Sequence, residues 1–259
     1  MVVRTASRAL FPLFFSGDCG ICGAELHEIS RIPVWQPCLH QPEAWTAEFF
    51  GVSCRTLFEK AFPLDSARRC ALCRNGLRGF DTSYCFGSYG GLLRELVHLF
   101  KYGKLRTLAG PLGDLLGLAL SREEQLDAIV PVPFHWRRQR QRGFNQSELL
   151  ARVISRRAGI PAIKAKRVRP TQVRAGLSST GRRKNASSAF SCRRAHTVAG
   201  KQVLLIDDVL MTGFTAASYA VALKQAGPHR VVLLTLARVE GRMEGWRAAP
   251  AYAAAGGVA

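Results

Sequence analysis

The chain has 259 residues, which is enough for one sizeable domain and a smaller appended one. A hydrophobic fraction of 47% argues against intrinsic disorder, and the lack of an uninterrupted apolar run of about 18 residues argues against a membrane-spanning helix. The formal net charge of +19 comes mainly from arginine, which binds phosphate in a planar fork, so it points to nucleic acid or to phosphorylated small molecules. A basic surface without a specific partner remains the alternative.

The first fifteen residues place a short apolar segment after Arg4 and Arg8. Pro12 interrupts this segment, and no small-residue cleavage site precedes Asp18, so a signal peptide is not predicted. We expect a cytoplasmic protein whose chain begins with a helix.

Residues 16–86 are predicted to form a cysteine-rich module that is held by metal ligands and not by a large core. Cys19 and Cys22 have C-x-x-C spacing, as do Cys70 and Cys73, and two thiolates at this spacing can grip one tetrahedral zinc ion. The two pairs could form one four-cysteine site, and free buried thiols are the alternative. The candidate zinc ligands are Cys19, Cys22, Cys38, Cys54, Cys70 and Cys73.

The rest of the chain reads as helices followed by alternating strands and helices. Residues 87–126 are predicted to be a helical connector that packs on the next domain, because their leucines recur at helical spacing. Residues 127–240 alternate short apolar runs with amphipathic segments, which is typical of βαβ units and a parallel sheet. The predicted strands are 128–132, 202–206 and 230–236, the predicted helices are 146–158 and 214–226, and 241–259 is expected to be a flexible tail.

Two adjacent acids, Asp207 and Asp208, follow the apolar run 203–206 at the predicted carboxyl edge of the sheet, where ligands bind in open α/β folds. Neighbouring carboxylates repel each other unless they meet hydroxyl donors or cations, so they indicate recognition of ribose hydroxyls. The following turn opens a helix, and its N–H groups and hydroxyls predict a monophosphate site. Its members are Met211, Thr212, Gly213, Phe214 and Thr215. An ordinary strand-to-helix turn is the alternative.

Two basic segments are predicted to meet the same ligand. The first follows Val130-Pro131-Val132-Pro133, leads into Arg-Gly-Phe-Asn-Gln at 142–146, and could neutralise a diphosphate. The second begins near residue 167 and has the Gly, Ser and Arg content of a mobile flap that closes on a charged substrate. The candidate residues are Arg137, Arg138, Arg140, Arg142, Arg167, Arg169 and Thr171.

The segment 203–215 resembles the ribose-phosphate signature of type I phosphoribosyltransferases, with departures at Met211 and Phe214. Over nearly the whole chain, the order Val-Pro-x-Pro, Arg-Gly-Phe-Asn-Gln, Arg-x-Thr, Gly-Leu-Ser, Arg-x-Asn and the acidic pair resembles the ComF family of bacterial competence proteins. This resemblance implies a phosphoribosyltransferase-like α/β fold, with a parallel sheet flanked by helices and a small zinc-ribbon-like module. It also implies a zinc site in which Cys38 completes the first cysteine pair.

The resemblance further implies binding of 5-phosphoribosyl 1-diphosphate (PRPP) with Mg²⁺. Asp207 and Asp208 would hold the ribose hydroxyls, 212–215 the 5-phosphate, and the arginines of 137–142 the leaving pyrophosphate. Phosphoribosyl transfer is the function that we predict. A nucleic-acid-associated factor in DNA uptake, with single-stranded DNA or competence proteins as partners, and a non-catalytic PRPP-binding regulator are the alternatives.

Overall fold

The protein is described by a computed structural model. The structure describes residues 17–26, 31–40, 42, 44, 49–51, 57–58, 64–74, 79–122, 124–133, 143–163, 166–167, 190–191, 197–211 and 213–239. Its helices are α1 (Gln36–His40), α2 (Ala71–Arg74), α3 (Gly91–Tyr102), α4 (Ala109–Leu118), α5 (Gln146–Ala158) and α6 (Phe214–Lys224), with a 3-10 turn at Arg106–Leu108. Its strands are β1 (Phe49–Phe50), β2 (Leu57–Phe58), β3 (Thr82–Ser88), β4 (Ala128–Pro131), β5 (Lys166–Arg167), β6 (Phe190–Ser191), β7 (Gln202–Leu210) and β8 (Arg230–Arg238).

Four of these strands form the central sheet in the order β3-β8-β7-β4, and every neighbouring pair is parallel. β7 and β8 lie in the middle and are buried along nearly their whole length, as expected of parallel strands covered on both faces. The two short pairs β1-β2 and β5-β6 are antiparallel and separate from this sheet. The predicted α/β class, a parallel sheet flanked by helices, is confirmed.

Two hydrophobic cores cover the two faces of the sheet. Leu204 and Ile206 of β7 pack in the core that also contains the buried residues of α3, α4 and α5. Val203 and Leu205, which alternate with them, pack in the core formed with α6. Because side chains alternate along a strand, one apolar run supplies both cores, which fixes the register of β7 between the two helix layers.

Most predicted elements are present, with two differences that affect the site. Helix α5 has the predicted bounds, but β7 continues to Leu210 and therefore includes Asp207 and Asp208 instead of ending before them. Strand β3 was not predicted. It spans the boundary that the sequence placed at residues 86 and 87, between the cysteine module and the helical connector, and it pairs with β8.

Helices α4 and α5 approach closely at Gly113. A Cβ atom added there would lie 2.5 Å from Cγ1 and 2.7 Å from Cβ of Val153, so only glycine allows this packing. This close approach fixes the middle of α5 against α4. Among the described residues, no helix has both the length and the apolar character that crossing a membrane requires.

Candidate functional site at the carboxyl edge of the sheet

The two predicted acids lie near the carboxyl end of β7, one of the two central strands. Their relative exposures are only 8% for Asp207 and 5% for Asp208. A buried carboxylate must be compensated by hydrogen bonds or by a cation. The contacts of each acid therefore determine what the pair can do.

Asp207 is compensated by hydrogen bonds. Its Oδ1 accepts the hydroxyl of Ser147 at 3.0 Å and the backbone N–H of Asp208 at 2.9 Å. Burial, and then the neighbouring charge of Asp208, raise the pKa of Asp207 to about 7, although these hydrogen bonds and Lys101 act in the opposite direction. Asp207 can therefore gain or lose a proton near neutral pH.

Asp208 is compensated by a cation that the sequence reasoning missed. Lys101 Nζ lies 3.1 Å from Asp208 Oδ1, and both side chains are about nine-tenths buried. Asp208 Oδ1 also accepts the N–H of Val209 at 2.6 Å, whereas Oδ2 is buried and has no hydrogen-bond partner among the described residues. The site therefore contains one carboxylate oxygen that can still accept a hydrogen bond.

A signal for Lys101 was present in the sequence. Leu93, Val97 and Lys101 are spaced four residues apart on α3, so they lie along one row of the helix, and the first two are buried in the core. A charged residue that continues an apolar row at the end of a helix must find a partner in the protein. The sequence does not show that this partner is Asp208, since that depends on how α3 packs against the sheet.

The turn after β7 has the predicted form. Gly213 has φ +68° and ψ −5°, a left-handed conformation that favours glycine, and α6 begins at Phe214 with no side-chain cap. Thr215 is exposed in the first turn of α6, and Met211 is 65% exposed before it. Thr212 lies outside the described residues. The described part of the turn therefore leaves the beginning of a helix without a capping side chain.

The Asn-Gln end of the Arg-Gly-Phe-Asn-Gln motif lies beside the acids. Asn145 Nδ2 donates to the carbonyl of Val132 at 3.1 Å, which joins the beginning of α5 to the end of β4. Gln146 is fully buried, and neither polar atom of its side chain has a hydrogen-bond partner among the described residues. Because α5 starts here and carries Ser147, the motif holds the hydroxyl that contacts Asp207.

The other residues predicted to contact the ligand belong to the two basic segments. Arg167 belongs to the short strand β5, but only its backbone is described. The remaining predicted residues lie outside the described part of the chain: Arg137, Arg138, Arg140, Arg142, Arg169 and Thr171.

The cysteine prediction is supported for three of the six residues. The sulfur atoms of Cys19, Cys22 and Cys38 lie within 4.8 Å of one another. This grouping agrees with the arrangement that the family resemblance implied, and not with one site built from Cys19, Cys22, Cys70 and Cys73. The Sγ atoms of Cys70 and Cys73 lie 3.6 Å apart, and Cys54 lies outside the described residues.

The chemistry of the three-cysteine cluster suits a zinc ion. Burial alone would raise the pKa of Cys19, but backbone N–H groups, among them that of Trp35 at 3.2 Å from the sulfur, lower it to about 7. Burial and the two neighbouring thiols raise the pKa of Cys38 to about 12, because three thiolates cannot share this space without a cation. Three clustered thiols could hold a metal ion, and a structural zinc ion would need one further ligand.

Known proteins that are similar to this chain are named for competence or for DNA utilization. The chain is 34% identical over 181 residues to Competence protein F of Haemophilus influenzae, an alignment that covers 66% of this chain and 79% of that protein. It is 33% identical over 158 residues to DNA utilization protein YhgH of Escherichia coli K12, with 58% of this chain and 69% of that protein covered. No protein-family profile matches the chain.

Among solved structures, glutamine phosphoribosylpyrophosphate (PRPP) amidotransferase from B. subtilis, complexed with ADP and GMP, aligns with a TM-score of 0.37 and 19% sequence identity. The alignment covers 50% of this chain and 26% of that chain. A similarity this low supports no inference about function.

Proposed function

Because the chain belongs to the ComF family of competence proteins, we propose that it binds 5-phosphoribosyl 1-diphosphate with Mg²⁺ at the carboxyl edge of its sheet. One observation carries this proposal. A single strand-turn-helix unit places two carboxylates, Asp207 and Asp208, near the end of the strand, a few residues before a helix that begins without a side-chain cap. Carboxylates accept hydroxyl groups and an open helix beginning attracts phosphate, so the unit offers complementary groups to both ends of a ribose 5-phosphate.

The acids are proposed to accept the 2- and 3-hydroxyl groups of the ribose. Asp208 Oδ2 is the acceptor that the described contacts leave unused, and Asp207 is fixed by Ser147. Both acids are largely buried and Lys101 Nζ contacts Asp208 Oδ1, so the Lys101 side chain is proposed to move when a ligand binds Asp208.

The 5-phosphate is proposed to bind at the beginning of α6. The backbone N–H groups of its first turn have no intrahelical acceptor, and the helix dipole adds a partial positive charge there. The left-handed backbone at Gly213 aims the chain into this turn, and the hydroxyls of Thr212 and Thr215 are proposed as further donors.

The diphosphate is proposed to bind the arginine-rich segment and the flap, through Arg137, Arg138, Arg140, Arg142, Arg167, Arg169 and Thr171. Mg²⁺ on the diphosphate would supply additional positive charge as the pyrophosphate leaves. In the transfer that the family resemblance implies, the bond from C1 of the ribose to the diphosphate oxygen breaks while a nucleophile bonds to C1. The chain needs no covalent nucleophile for this step; its groups bind, orient and stabilise charge.

Calorimetry with 5-phosphoribosyl 1-diphosphate and Mg²⁺ tests the binding proposal. We expect wild type to bind and the double variant Asp207→Asn/Asp208→Asn to lose at least about tenfold in affinity, because an amide accepts fewer hydroxyl hydrogen bonds than a carboxylate. Asp127→Asn is the matched control: Asp127 lies at the amino end of the sheet, where its Oδ2 accepts the N–H of Gln202, and an amide oxygen can keep that bond. Absence of binding to wild type at millimolar ligand would refute the proposal.

Catalysis and regulation require a second measurement. Release of pyrophosphate from the bound ligand in the presence of candidate acceptors would identify a transferase, whereas tight binding without release would favour a regulator that senses the ligand. The exposed Met211 and the Phe214 position are where the chain departs from the transferase signature.

A nucleic-acid-associated role in DNA uptake is the second candidate function. The net charge of +19 favours it, as do the names of the competence and DNA utilization relatives. It predicts binding to single-stranded DNA that weakens steeply with salt and that survives Asp207→Asn. Loss of DNA binding in Asp207→Asn would instead assign both ligands to the same edge of the sheet.

A further inference from the structure

A groove lies between the beginning of α4 and the outer face of α5, away from the acid pair. Its volume is about 540 Å³, and its lining includes Arg106 and Thr107 from the 3-10 turn before α4 and Leu149, Arg152, Val153 and Arg156 from α5. Three of the nine lining residues, Arg106, Arg152 and Arg156, carry guanidinium groups. We infer that this groove binds the phosphate backbone of single-stranded nucleic acid, an inference that rests on the second candidate function.

The groove and the acid pair use different faces of α5. Ser147 is buried and donates to Asp207, whereas Arg152 is exposed and lies five residues further along the helix. Five residues correspond to a rotation of about 140° around a helix of 3.6 residues per turn, so the two side chains point in nearly opposite directions. A ligand in the groove therefore need not compete with a ligand at the sheet edge.

The positive charge in the groove is only partly neutralised. Arg152 forms an ion pair of 2.6 Å with Glu148. Among the described residues, this is the only ion pair that any of the three arginines forms. The guanidinium of Arg106 is centred 5.2 Å from the ring centroid of Phe144 and donates to the carbonyl of Gly143 at 2.8 Å. Arg156 Nε donates to the carbonyl of Arg152 at 3.3 Å.

These contacts hold the arginines in place without exhausting their donors. A guanidinium has five N–H donors, so each of the three keeps several for an anion. Two of the three anchoring acceptors are neutral carbonyls, which orient a guanidinium but leave its full charge. An anion that enters the groove therefore meets a net positive charge, carried by guanidinium groups that are already oriented.

The shape of the groove favours a chain of phosphates over a single one. Arg152 and Arg156 are one helical turn apart, which puts their Cβ atoms about 5–6 Å from each other, and Arg106 faces them across the groove. Leu149 and Val153 give an apolar floor between the charges. No aromatic side chain lines the groove among the described residues, so binding should be independent of base sequence and dominated by salt-sensitive phosphate contacts.

The double variant Arg152→Gln/Arg156→Gln tests the inference on the full chain. Its binding to a fluorescent 15-residue oligothymidylate is measured by anisotropy over a range of salt concentrations. We expect about a tenfold loss of affinity at low salt, and a log-log salt slope that is smaller by about 1.4, since two phosphate contacts to a single strand are removed.

Arg94→Gln/Arg122→Gln is the matched control. It removes the same charge from two exposed positions outside the groove, and Arg94 pairs with Glu95 much as Arg152 pairs with Glu148. The inference expects less than a twofold effect from the control. Equal losses in the two double variants would overturn it, because only overall charge would then matter.

Three further outcomes would also overturn the groove assignment. In the first, wild type does not bind the oligonucleotide. In the second, an equal concentration of inorganic pyrophosphate displaces the oligonucleotide from wild type. In the third, Arg152→Gln/Arg156→Gln loses binding to phosphatidylglycerol vesicles but binds the oligonucleotide as wild type does. Calorimetry with the ribose diphosphate separates this test from the main proposal: the groove variants should bind that ligand as wild type does, whereas failure of wild type to bind it refutes only the sheet-edge site.

Discussion

Lys101 Nζ lies 3.1 Å from Asp208 Oδ1 in a buried ion pair that joins the end of α3 to the end of β7. The pair brings the end of α3 into direct contact with the candidate ligand site. It also explains how two adjacent carboxylates can be buried together, since a cation offsets part of their repulsion.

Replacing the lysine tests this role. Lys101→Met should lower the free energy of unfolding by about 3 kcal/mol at pH 8, because it leaves a buried carboxylate without its cation. The loss should shrink at pH 5, where Asp207 is protonated and the pair carries one negative charge less. Lys101→Arg should restore most of the stability, and Lys104→Met, at an exposed lysine nearby, should have little effect. Urea unfolding at the two pH values measures these differences, and equal losses from Lys101→Met and Lys104→Met would contradict the role.

The pKa of Asp207, raised to about 7 from an ordinary value of 3.8, predicts a pH-dependent stability. Between about pH 4 and pH 7 the folded state binds the proton that the unfolded state has released, so this group favours folding at the acidic end of the window. Its contribution is lost as the pH rises towards 7, by up to about 1.4 kcal/mol per pH unit.

Asp207→Asn should remove this dependence, because an amide does not titrate but can still accept the hydrogen bonds of Ser147 and the Asp208 backbone. Unfolding free energies measured at pH 5 and pH 7.5 should differ less in the variant than in wild type. Other titrating groups affect both proteins alike, so the comparison isolates Asp207. Parallel pH profiles for the two proteins would show that its pKa is not raised in the folded state.

The contact of Gly113 with Val153 predicts a packing effect that depends on position. Gly113→Ala should destabilise the fold by about 1–3 kcal/mol, because the new methyl group overlaps Val153. Gly110→Ala, in the same helix but with nothing within 4 Å of the added Cβ atom, should be neutral or stabilising by up to about 1 kcal/mol. Thermal unfolding of the two variants checks the difference, and similar melting temperatures would argue against the close approach of α4 and α5.

The cysteine cluster predicts a structural zinc ion. Cys19→Ser and Cys38→Ser should each reduce the zinc content of the purified protein, since each removes one of three clustered thiolates. Cys85→Ala is the control, because Cys85 lies in β3 and its thiol donates to the carbonyl of Gly87. Elemental analysis measures the content, and full zinc occupancy in both serine variants would exclude this cluster as the site.

The sequence by itself determined most of the helices and strands, and it determined the part of the candidate site that lies within one continuous segment. Local periodicity is strong in α5 and in β7 and β8, because a buried helix repeats its apolar residues every three to four positions and a buried strand is a short apolar run. The turn at Gly213 could also be predicted locally, because a glycine between a strand and a helix favours a left-handed backbone. Two acids, a glycine and a helix beginning are close in sequence, so they remain close in any fold that forms this unit.

Tertiary structure decided the contacts between segments that are distant in sequence. No local pattern could show that Ser147 donates to Asp207, that Lys101 neutralises Asp208, or that Cys38, more than Cys70 or Cys73, joins Cys19 and Cys22. Strand β3 was also missed, since its place in the sheet is fixed by pairing with β8 and not by its own composition. Such contacts depend on how separate elements pack, and it is this packing that sets the burial, and therefore the charge, of the acid pair.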